Sequence, residues 1–81
     1  MLKMQQPPIR PDKVRDLRIE RQLSQQDLAV LAELSLGQIN RIENGRIEHP
    51  QFRTLRKLAR ALGVEAAELL DDTASNGDGS S

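Results

Sequence analysis

Cysteine is absent from the chain, which rules out a disulfide framework and a thiolate metal site. Tryptophan and tyrosine are absent too, and Phe52 is the one aromatic residue. Any core must therefore be built from Leu, Ile, Val and Ala. No run approaches the roughly 18 consecutive apolar residues of a membrane span, so no membrane partner is expected. The opening residues, MLKMQQPPIR, lack the apolar stretch of a secretory leader. Together these absences fit a cytoplasmic protein. His49 is the only histidine, and with no second His or Cys beside it a metal site is not expected. It reads as a loop surface residue. No Ser–His–acid set and no glycine-rich phosphate loop can be assembled, so neither catalysis nor a cofactor is expected.

A net excess of charge is also missing, because 12 Lys and Arg balance 12 Asp and Glu over 81 residues. The balance hides a division. Residues 1–63 hold all 12 bases and 7 acids, a net +5, whereas residues 64–81 hold five acids and no base. A basic body with an acidic end is one pattern of a nucleic-acid binder.

What is present is a succession of short helical patterns without strand alternation. Residues 1–10 carry a Pro-Pro pair and no periodicity, and read as a flexible arm. Residues 72–81, DTASNGDGSS, are small and polar and read as a disordered tail. Between them, residues 11–71 read as one domain, an all-α compact five-helix bundle. The first helix opens at Pro11, a residue favoured in a first turn, with Val14 and Leu17 on one face. Ser24 with Asp27 approximates a capping box for a second helix over QQDLAVLA, which is expected to bury Leu28, Leu31 and Ala32. Ser35 opens a third, LGQINRIEN, with Ile39 and Ile42 inward and Gly45 just beyond its end. Pro50 precedes a fourth, in which Phe52, Leu55, Leu58, Ala59 and Leu62 recur at the helical period. Gly63 closes it, and EAAELL gives a short fifth, with Val64 and Leu69 inward. The Arg53, Arg56, Lys57 and Arg60 series reads as spread over more than one face of the fourth helix, and so as no single binding stripe.

Residues 25–44 make two short helices with a three-residue connection, and Ala29 is small enough to let them cross closely. This is helix-turn-helix geometry, whose second helix fits the major groove of DNA. Its outer face would carry Leu36, Gly37, Asn40, Arg41 and Asn44. Arg18, the Leu-Ser-Gln of 23–25, Leu28-Ala29, Ile39, the Ile-Glu-Asn-Gly of 42–45, Pro50 and the run from Ala59 to Val64 together resemble the Cro/repressor-type, or XRE, helix-turn-helix family.

The resemblance implies a phage-repressor-like fold and a sequence-specific transcription regulator. It implies base-reading positions at Leu36, Gly37, Asn40 and Arg41. There Arg41 would pair with guanine, Asn40 with adenine, and Leu36 with a thymine methyl. It implies phosphate contacts at Ser24, Gln25, Ser35, Gln38, Asn44 and Arg46, and Arg53 near its helix start is a further candidate. It also implies a partly buried ion pair between Arg18 and Glu43. Four positions depart from the family pattern: Glu33 stands where a turn glycine is usual, Gly37 offers no side chain to read a base, Leu36 is apolar where a polar or basic residue is common, and Glu48 lies in a loop that would face phosphates. The partners implied are double-stranded DNA and a second copy on a pseudo-palindromic site, with Leu69, Leu70 or the loop between the last two helices as dimer surface. The alternative is a protein-interaction module on the same fold, antitoxin-like or coactivator-like. The chain also reads as the DNA-binding part of a longer regulator.

Overall fold

The computed structural model describes residues 7–71, and what was read for residues 1–6 and 72–81 lies outside the described residues. Four α-helices follow one another: α1 (Pro11–Glu20), α2 (Gln25–Ala32), α3 (Leu36–Glu43) and α4 (Phe52–Leu62). The expected fifth helix is a single 3-10 turn, Ala66–Leu69. Four residues are too few to close an α-helical ladder, and its one buried side chain, Leu69, is what anchors it.

Local chemistry sets the helix ends. Pro11 holds the first position of α1, with Asp12 beside it facing the positive end of the dipole. Reciprocal capping boxes start α2 and α3. The Ser24 hydroxyl accepts from the Asp27 amide at 2.9 Å while the Ser24 amide donates to the Asp27 carboxylate, also at 2.9 Å. Ser35 and Gln38 repeat the pattern at 3.0 and 3.3 Å. Glu33 ends α2 in the left-handed region at φ 59°, as the missing turn glycine led one to expect. Gln22 takes the same φ, which the sequence reading did not anticipate.

Helix α4 ends on Gly63, left-handed at φ 74°. The core is aliphatic throughout. Val14, Leu28, Ile39, Ile42, Leu55, Leu58, Leu62 and Leu69 are its largest fully buried side chains, each contributing roughly 1.5–3 kcal/mol relative to exposure. Ala29 is buried, and α2 packs on both α3 and α4.

The structure departs from the sequence reading at Leu31, Phe52 and Ile9, and bears out Leu69 as inward while removing it from the dimer surface. Leu31 is 57% exposed and Phe52 60% exposed. Each lies at the edge of its helix's apolar stripe, where periodicity counted them in but the neighbouring helices do not reach. Leu69 is fully buried, so it is unavailable as a dimer surface, and Leu70 is half-buried. Ile9, assigned to the arm, is instead a core residue. Its amide donates to the Glu48 carbonyl, and the Arg10 amide donates to that of Leu69, both at 2.8 Å. Ile9 also forms an isolated antiparallel bridge with Leu70. The two ends of the fold are thereby tied together.

Candidate nucleic-acid interface

The site is built from the inward residues of α3. Ile39 and Ile42 are fully buried, and Glu43 is also buried. With that side fixed, helical geometry turns Leu36, Gly37, Asn40, Arg41 and Asn44 outward, and all five are exposed. The sequence-predicted base readers thus share one surface. Ser24 and Ser35 lie at the N-termini of α2 and α3, their hydroxyls occupied as caps. The amides of each first turn have no intrahelical acceptor and leave a partial positive charge there. Gln38 is half-buried, and Arg46 and Arg53 are exposed.

Beneath this face runs a hydrogen-bond chain that the sequence reading saw only in part. Arg18 donates from Nε to Glu43 Oε2 at 2.6 Å and from Nη2 to Oε1 at 3.0 Å. A third donor, Nη1, reaches the Leu23 carbonyl at 2.8 Å. Donating to the Glu43 carboxylate raises the Arg18 pKa above its ordinary value, so the guanidinium stays charged. Glu43 Oε1 also accepts from Gln25 Nε2 at 3.0 Å. Gln25 Oε1 in turn accepts from Asn40 Nδ2 at 3.4 Å, and Asn40 Oδ1 accepts from Asn44 Nδ2 at 3.0 Å. One polar chain therefore links α1, through the start of α2, to the outer face of α3. The Gln25 links were missed because their partners lie on the same surface only after α2 and α3 have crossed, whereas the Asn40–Asn44 link spans four residues of one helix and was legible in the sequence.

Arg41 stands apart from that chain. Its Nη1 lies 3.4 Å from the point where a Cβ on Gly37 would sit. Gly37, read as a gap in the reading surface, instead leaves the space that the Arg41 guanidinium passes over. His49 is exposed, in the loop before α4, and lines a shallow concavity with Gln38, Ile47 and Gln51.

The α4 cations require a correction. Arg53, Arg56, Lys57 and Arg60 line one common concavity rather than several faces. At about 100° per residue their spacings of three, four and seven keep them within a sector of about 100°. This spacing was visible in the sequence.

Among the described residues no group of three or more His, Cys, Asp and Glu is arranged to hold a metal ion, and no helix is long and apolar enough to cross a membrane.

Comparison with known proteins gives a concordant picture. The helix-turn-helix family model HTH_3 matches residues 14–69. The chain is 40% identical over 70 residues to the "Putative antitoxin HigA2" of Mycobacterium tuberculosis, a match covering 86% of this chain and 65% of that protein. It is 38% identical over 64 residues to the cryptic phage CTXphi transcriptional repressor RstR of Vibrio cholerae, covering 79% of this chain and 57% of the repressor. The chain thus spans under two thirds of the length of either relative. Among solved structures it is similar to the master regulator for biofilm formation SinR in complex with DNA, with a TM-score of 0.72 and 26% identity over 75% of this chain and 97% of that one.

Proposed function

The chain belongs to the HTH_3 helix-turn-helix family, and from that premise we propose that it is a sequence-specific DNA-binding transcription regulator whose helix α3 lies in the major groove. The observation that carries the proposal is the outer face of α3. A helix of eight residues, capped at its start and pinned by Ile39 and Ile42, presents Leu36, Gly37, Asn40, Arg41 and Asn44 together to solvent. The similarity to a regulator solved on DNA supports the same orientation.

Each site residue then takes a role. Arg41 donates two hydrogen bonds to a guanine edge, Asn40 pairs with adenine, Leu36 meets a thymine methyl, and Gly37 clears the way for Arg41. The N-termini of α2 and α3, at Ser24, Gln25, Ser35 and Gln38, receive phosphates through backbone amides and the helix dipoles. Asn44, Arg46 and Arg53 hold phosphates at the far end of α3 and the start of α4. Arg18 and Glu43 orient the reading face from behind. Residues 11–71, with Ile9 drawn into their core, act as one DNA-binding unit that requires no catalytic group or cofactor. A second copy related by a two-fold axis occupies the other half of a pseudo-palindromic site. Such a regulator of bacterial or phage genes works in the cytoplasm.

The experiment is selection of bound sequences from a random duplex pool by the purified chain, followed by binding of Arg41→Ala to the selected site. The proposal expects an enriched, two-fold symmetric motif, with relaxed preference at one guanine in the variant. Enrichment of no motif, or a variant that binds like the parent, would overturn it. The first outcome would favour the protein-interaction reading, which the name of the antitoxin relative brings in, whereas the second would move the reading away from Arg41.

A further inference from the structure

Helix α4 has no acidic residue and four basic ones in eleven positions. Its buried side chains, Thr54, Leu55, Leu58, Ala59 and Leu62, face the core. Arg53, Arg56, Lys57 and Arg60 fall on the opposite side and, among the described residues, are the ones that line a concavity of about 240 Å³; Arg56 and Arg60 also border a neighbouring one with Phe52 and Val64. Among the described residues the ion pairs are Arg10–Asp12, Arg18–Glu43 and Arg21–Glu20, so none of the four has a carboxylate partner. Like charges three and four residues apart repel, and a cation in a first turn opposes the helix dipole. The stripe therefore acts against the stability of its own helix. Arg56 is further held in place over the Phe52 ring, 5.7 Å from its centroid.

We infer that the outer face of α4 is a second phosphate-binding surface, which takes the backbone of DNA flanking the stretch read by α3. The inference rests on the DNA-binding reading above and extends its footprint. Two observations favour nucleic acid over an acidic protein. First, the stripe begins at Arg53, between Gln51 and Thr54, which border one concavity with Gln38 of α3. Second, among the described residues the concavity is lined by cations alone, and the exposed ring beside it, Phe52, is covered on one face by Arg56. Protein partners need apolar anchors in pockets, whereas phosphates are held by Arg and Lys without them. From Arg53 to Arg60 the stripe rises roughly 10 Å, enough for about three successive phosphates of one strand.

The test uses the full chain and two duplexes carrying the selected site. One is the site alone, and the other adds about one helical turn of flank at each end. Affinities are measured over a range of salt for the parent and for a Lys57→Gln/Arg60→Gln variant, whose replaced side chains lie off the α3 face and outside the core. The parent is expected to bind the flanked duplex more tightly than the bare site. The variant is expected to lose that gain, and on the flanked duplex its slope of log K against log salt should be shallower by about 2. Its affinity and sequence preference on the bare site should stay within about twofold of the parent, since no base reader or α3 phosphate ligand has changed. Equal parental affinity for the two duplexes would overturn this inference and leave the α3 reading standing. So would a variant that keeps the parental gain and slope, or one that loses only self-association in sedimentation, which would make the stripe a contact between copies. Binding to neither duplex would remove the α3 reading itself.

Discussion

Replacing Glu43 with Ala isolates the link between the core and the reading face. The Glu43 side chain is 2% exposed and that of Arg18 13% exposed. Glu43 accepts three hydrogen bonds, two from Arg18 and one from Gln25. Truncation leaves a guanidinium in a nearly dry site with only the Leu23 carbonyl as a partner. Breaking a buried pair by removing one member costs about 3–5 kcal/mol, because the surviving charge stays desolvated. The Leu23 bond and the residual exposure of Arg18 let the guanidinium recover part of that, so the expected loss is at the low end, about 3 kcal/mol. For a domain of this size such a loss lowers Tm by roughly 10–25 °C.

Urea and thermal unfolding followed by far-UV circular dichroism measure the loss directly. The companion variant Arg18→Met/Glu43→Leu removes both charges. It is expected to regain most of the stability, because an apolar pair of similar volume avoids the desolvation cost. If Glu43→Ala costs less than about 0.5 kcal/mol, the pair is solvated as surface pairs are and the buried-link argument fails. A double variant no more stable than Glu43→Ala would locate the loss in packing rather than in the stranded charge.

Gly37→Ala is expected to raise stability by about 0.5–1 kcal/mol, since glycine is a poor residue inside a helix. The new methyl meets Arg41 Nη1 at 3.4 Å, so the same variant should bind the selected site less tightly; an unchanged affinity would mean that Arg41 reads from another rotamer. Asp27 supplies an acid-sensitive start to α2. The Ser24 amide, and then its hydroxyl, hold the Asp27 carboxyl below its ordinary 3.8. A depressed folded pKa stabilises the fold above the unfolded value and ceases to do so as pH falls through the folded one. The parent should therefore lose stability below about pH 4 more steeply than Asp27→Asn, and parallel acid unfolding curves would refute this assignment.

The parts of the fold legible in the sequence are those decided within a few residues. Ser24 with Asp27 and Ser35 with Gln38 start helices through bonds spanning three positions, and both boxes form as their spacing implies. The α4 stripe of Leu55, Leu58, Ala59 and Leu62 is fixed by helical period alone. The misread residues depend on what packs from a distance. Ile9 belongs to no periodic pattern, and its burial requires the Glu48 and Leu69 carbonyls, far along the chain, to meet its segment. Leu31 satisfies the apolar period of α2, but α3 and α4 cover the side defined by Leu28, Ala29 and Ala32. Neither error touches the candidate site, because Ile39 and Ile42 orient α3 without help from either residue.

A sequence names polar groups but does not say which of them the fold has already engaged, and that distinction separates the proposed base readers. Gln25 has its amide nitrogen on Glu43 and its oxygen on Asn40. Asn40 is held at its other end by Asn44. To pair with adenine, Asn40 must either use the donor and lone pair still open on its amide or release Gln25. The Gln25 contact, at 3.4 Å, is the longest of the chain and the least costly to release. Arg41 has no such commitment, since its guanidinium makes no hydrogen bond among the described residues and has only water to displace. Leu36 brings apolar area and no donor. The α3 face thus combines one free, adaptable reader over Gly37 with one reader fixed by a chain that ends in the buried Arg18–Glu43 pair. Discrimination at the base opposite Asn40 depends on that chain staying intact, whereas discrimination opposite Arg41 depends on the space left by a missing side chain.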